Sequence, residues 1–61
     1  MLEKIEVTYE NIGRIANPLF KDRTGGNLED IDPYIKRDWY KEAEEMLAGY
    51  NRVVDILNGD E

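Results

Sequence analysis

The sequence predicts an all-α fold: a short helix followed by a long amphipathic one, arranged as a helical hairpin in a single small domain over residues 1–61, and homo-oligomerising. Three observations predict it. Trp39, Ala43, Met46, Tyr50, Val53 and Leu57 follow one another at spacings of 4, 3, 4, 3 and 4, the seam through which helices pack on helices. Asp32-Pro33 and Asn58-Gly59 bracket that seam as a helix start and a helix stop. The chain has no Cys and no His, which removes disulfides and the usual zinc ligands as supports for a 61-residue domain. Oligomerisation is the support left.

The elements follow in chain order. Residues 3–9 alternate, with Ile5, Val7 and Tyr9 to one side and Glu6 and Thr8 to the other, so they read either as a short strand or as an extended arm. A lone strand needs a neighbour, and no second strand pattern exists; pairing with a symmetry mate would supply one. Thr8 then caps a short helix from Tyr9 to Ala16, with Glu10 in its first turn and Tyr9, Ile12, Ile15 and Ala16 on its apolar side. Pro18 is expected to close that helix by driving Asn17 out of helical geometry. Gly13 weakens it by about 1 kcal/mol relative to alanine.

Lys21–Asp30 reads as a polar connection turned at Gly25-Gly26, with Leu28 and Ile31 as its anchors and Leu19 and Phe20 folding back on the core. The long helix then runs from its cap at Asp32 to Asn58, about 37 Å at 1.5 Å per residue. A second apolar row, Tyr40, Leu47 and Val54, lies beside the seam. Together the rows span more than a third of the circumference, the width of a bundle helix. The rest of the chain offers little to cover so wide a face.

Charge narrows the functional classes. Fourteen acidic residues against 8 basic ones give a net charge of −6, the opposite of a nucleic-acid footprint and unsuited to an anionic membrane surface. No apolar run resembles a signal peptide or a membrane span, so a cytoplasmic protein is expected. Catalysis has no evident machinery: there is no His, Cys or Ser to act as base or nucleophile. An enzyme is not expected, nor is a cofactor or metal. A calcium loop starting at Asp22 fails at its fifth, sixth and twelfth positions, where Gly26, Asn27 and Pro33 stand.

The candidate sites are therefore interfaces. Trp39 and Tyr40 have the side chains of binding hot spots, although the place of Trp39 in the 4-3 spacing better suits the core or a self-interface. Glu42 and Glu45 offer charge complement beside them, and Met46, Tyr50, Val53 and Leu57 continue the seam. The acidic residues are interspersed with Lys36, Arg37, Lys41 and Arg52, which suits a solvated face better than mimicry of a phosphate track. Gly49, on the seam's flank, would let another backbone approach closely. Lys21 and Arg23 beside the glycine pair could hold a small anion or nucleotide in an oligomer that sequesters it.

The stretches Thr8-Tyr9-Glu10-Asn11-Ile12-Gly13-Arg14-Ile15-Ala16 and Arg37-Asp38-Trp39-Tyr40-Lys41-Glu42-Ala43-Glu44-Glu45-Met46-Leu47 resemble small helical accessory proteins of tailed bacteriophages. Those pair a short helix with a longer one opening on an aromatic residue. The resemblance implies a phage-encoded inhibitor that occupies a host protein of defence or nucleic-acid processing, working in the host cytoplasm, and it carries over no site residues. Besides that host protein, the expected partner is another copy of the chain, as a homodimer or higher assembly. A subunit whose only task is structural assembly is the remaining class.

Overall fold

The computed structural model describes residues 2–59. It contains two α-helices, α1 from Tyr9–Thr24 and α2 from Pro33–Asn58, joined through a single 3₁₀ turn at Leu28–Asp30. The all-helical hairpin of a short and a long helix is as the sequence predicts.

Helix α1 starts where expected, the Thr8 hydroxyl accepting from the Asn11 amide at 3.1 Å. It does not stop at Ala16. Pro18 lies inside it, and the helix continues to a left-handed Gly25 (φ 78°), whose N–H donates to the Lys21 carbonyl. An interior proline costs roughly 3 kcal/mol, so continuation requires compensation. The apolar face supplies it: Ile12, Ala16 and Phe20 recur at helical spacing and all are buried. Ending at Ala16 would leave Phe20 in water. Thr24 finishes the helix by donating to the Phe20 carbonyl at 2.9 Å and accepting from the Gly26 amide at 3.2 Å. The connection thus shortens from the expected ten residues to a turn around Gly25-Gly26 and the 3₁₀ turn, with Leu28 buried as its anchor.

Helix α2 begins at Pro33, the Asp32 carboxylate accepting from the Tyr34 amide at 2.8 Å, and ends at a left-handed Gly59 (φ 79°). Twenty-six residues make it about 39 Å long; α1, with 16, is about 24 Å. The core joins Ile12, Ala16, Phe20 and Leu28 to Ala43 and Leu47 of α2, with Ile15, Ile31, Trp39 and Tyr40 packed around them. At Gly13 the two helices are tightly packed: an added Cβ would lie 2.9 Å from the Tyr40 hydroxyl. The glycine that weakens α1 locally is what admits the tyrosine.

Beyond Leu47 a different element covers α2. Residues 2–8 form no strand; they run as an extended arm toward the C-terminal end of α2. Of the two readings of this segment the arm is the one realised, and its neighbour is a helix. Asn51 donates to the Ile5 carbonyl and accepts from the Ile5 amide, both at 2.8 Å. Asn58 does the same with Leu2, at 2.7 and 3.4 Å. Each carboxamide thereby imitates one residue of a paired strand, which exchanges both its N–H and its C=O with the residue opposite.

The spacing explains both the fit and the absence of a strand. Asn51 and Asn58 are two helical turns apart, about 10.5 Å along the axis. Leu2 and Ile5 are three residues apart, about 9.3 Å in a polyproline II chain that presents the same edge every third residue. A strand would present that edge every second residue.

Candidate protein interface

The residues singled out by sequence divide between two environments. Trp39 and Tyr40 belong to the core. The Trp39 ring meets Phe20 edge-on with centroids 5.1 Å apart, and the Arg23 guanidinium lies over it at 5.7 Å. Tyr40 packs against Tyr9 at 5.1 Å, with the Lys36 ammonium 5.7 Å from its ring. Burial, aided by the neighbouring Tyr9 hydroxyl, raises the Tyr40 phenol above its ordinary value of 10.0. Both aromatics remain half-buried rather than free to anchor a partner.

The C-terminal part of the seam is the opposite case. Met46, Tyr50, Val53 and Leu57 are 48%, 42%, 50% and 66% exposed, whereas Leu47 and Val54 of the adjacent row are each 1% exposed. The apolar face is indeed wider than its own chain covers: α1 and the arm take the inner row, and the seam stays open. At 3.6 residues per turn the four exposed side chains fall within about 60° of one another around the helix. Gly49 lies on the same side, and an added Cβ there would meet nothing within 4 Å. The face is a low apolar ridge with a notch.

Exposed Glu42 and Glu45 flank its N-terminal end. Glu42 also faces Arg23 at 3.7 Å, so part of its charge is engaged within the fold. That pairing separates the two basic residues proposed for an anion. Arg23 is held between Trp39 and Glu42, while Lys21 lines a shallow groove with Asn17, Pro18, Asn27, Leu28 and Glu29. The carboxylate of Glu29 in that groove opposes an anionic ligand.

The sequence reading passed over Asn51 and Asp55 and took Asn58 only as a helix stop. They hold the arm together with Tyr50, whose hydroxyl donates to the Glu3 carbonyl at 3.4 Å, and with the Lys4–Asp55 ion pair at 2.7 Å. The available signal was two asparagines one heptad apart beside an apolar row, an unusual choice where better helix formers would serve. Tyr50 therefore borders both surfaces, its ring in the exposed row and its hydroxyl on the arm. Among the described residues no helix is long and apolar enough to cross a membrane. No protein family, curated protein or solved structure matches this chain.

Proposed function

We propose that this protein is a non-catalytic protein-binding module that assembles with a second copy through Met46, Tyr50, Val53 and Leu57. The observation that carries the reading is that row: four large apolar side chains, all 42% exposed or more, on one face of a regular helix. Their spacing is that of a helix–helix seam, so an identical row is a natural complement. Neighbouring copies would bring together two chains of net charge −6, and their repulsion is screened by salt. Apolar association that tightens as ionic strength rises is the expected signature. In keeping with the resemblance to phage accessory proteins, the assembled module would occupy a host protein, with Glu42 and Glu45 meeting a basic surface there.

Sedimentation velocity on the purified chain at micromolar concentration tests the assembly. Dimers that revert to monomers in Val53→Glu, with helicity retained and a melting temperature that is lowered and no longer depends on protein concentration, are the expected result. A parent chain that sediments as a monomer and melts cooperatively would refute the reading.

A further inference from the structure

We infer that the two copies pair antiparallel, Met46 of each opposite Leu57 of the other and Val53 seated beside the partner's Gly49. This rests on the dimer reading and says which way the second copy lies.

The exposed row is closed at one end and open at the other. Trp39 and Glu42 continue the line of Met46 toward the start of α2, seven and four residues before it, so the three share a face. That continuation is already covered. Phe20 meets the Trp39 ring edge-on at 5.1 Å, and Arg23 lies 5.7 Å from the same ring and 3.7 Å from the Glu42 carboxylate. The C-terminal turn of α1 therefore lies across the seam just before Met46. Past Met46 the face stays open to the last turn, where Ile56 and Leu57 are both more than half exposed.

A second helix laid along the row meets α1 at one end, so it must finish near Met46. Parallel pairing in register cannot satisfy this. It would run residues 33–45 of the two copies past one another and drive both α1 ends into one gap. It would also set the two Glu42 carboxylates face to face and align the helix dipoles. A parallel pair slipped along the axis would leave part of each row open and would not close as a dimer.

Antiparallel pairing about a two-fold axis level with Asn51 and Arg52 meets the requirement. Met46 then faces Leu57, and Tyr50 faces Val53. Each α2 ends, at Asn58, level with Glu45 of the other copy. Trp39 and the α1 turn lie about 9 Å further along, the distance at which helices pack. Gly49 leaves open space at the edge of the row, an added Cβ meeting nothing within 4 Å. Val53 of the partner comes level with that notch and fills it. The arms take no part, because Asn51, Asp55 and Asn58 lie about 110–170° around the helix from the row. Each strap faces away from the partner and stays on its own chain.

The chain has no cysteine, so introduced thiols report orientation without background. Met46→Cys and Leu57→Cys are mixed and oxidised at a concentration where the parent chain is dimeric. Disulfides joining 46 to 57 should predominate. Like sites sit about 16 Å apart along the axis in this arrangement, too far for a disulfide. Sites 46 and 57 that link no more readily to each other than to themselves would overturn the orientation and leave the dimer standing. A parent chain without dimers would sink the assembly on which it rests.

A second measurement leaves the row untouched. A spin label on Arg37→Cys, on the side of α2 away from the row, should lie more than about 40 Å from its mate in antiparallel copies. A separation under about 30 Å, the width of two packed helices with their labels, would refute the orientation.

Discussion

The two halves of α2 are held by different physics. From Trp39 to Leu47 the helix is packed by α1, with Ala43 and Leu47 buried among Ile12, Ala16, Phe20 and Leu28. From Tyr50 to Asn58 it is held by an arm whose ties are exposed hydrogen bonds and one ion pair, with Val54 the only buried side chain. Apolar packing is lost only when the elements separate. Hydrogen bonds at a wet surface trade almost evenly with water. The first half is therefore the more stable body of the molecule, and the second is the part expected to open more readily. An exposed apolar row belongs naturally beside the second.

Substitutions should break that contrast unequally. The largest effect is expected for Leu47→Ala, which empties a fully buried site and should cost about 2–5 kcal/mol, comparable with the whole stability of so small a domain. Urea titration followed by circular dichroism would read it as loss of the folded baseline. Next comes Gly13→Ala, whose Cβ would press on the Tyr40 hydroxyl. Overpacking of this kind costs about 1–3 kcal/mol, set against a gain of about 1 kcal/mol in helix propensity. In a Tyr40→Phe background the clash disappears and the same substitution should become stabilising, a sign change that a double-mutant cycle would detect.

In the strapped half, Asn51→Ala should cost only about 0.5–1.5 kcal/mol, because water replaces its bonds. Hydrogen exchange at the Ile5 amide should accelerate while amides around Leu47 stay protected. Equal acceleration in both places would show one cooperative unit instead of two. Alkaline pH probes the body from another side. The fold favours the neutral Tyr40 phenol, so its contribution is complete below pH 10 and falls away as pH climbs through the raised value. Tyr40→Phe should lose less stability than the parent across that window. The smallest effect is expected for Glu42→Ala, whose ion pair with Arg23 is half exposed and worth below about 1 kcal/mol.

How much was legible in the sequence differs along these same lines. The long helix could be read because Asp32, Pro33 and Gly59 act on their own turns, and because an apolar period of 3.6 persists over seven turns. Pro18 misled because its local cost is visible in sequence whereas the compensating burial of Phe20 depends on Trp39, nineteen residues away. The arm misled in a similar way. Alternation showed that residues 3–9 are extended, but not that two side-chain amides on a helix would serve as their neighbour.

Of the interface candidates, the seam was legible as an apolar line. Which members face water was not. Trp39 and Val53 hold equivalent places in the 4-3 spacing, yet α1 reaches only the first of them.

By itself the sequence determined where each helix begins, the length of the second, and that its apolar face exceeds what 61 residues can cover, because caps and periodicity act within a few turns. Tertiary structure decided which row is buried and which is open, where Gly13 admits Tyr40, and what Asn51 and Asn58 hold. Those outcomes depend on distances between residues remote in the chain, and no local preference encodes them.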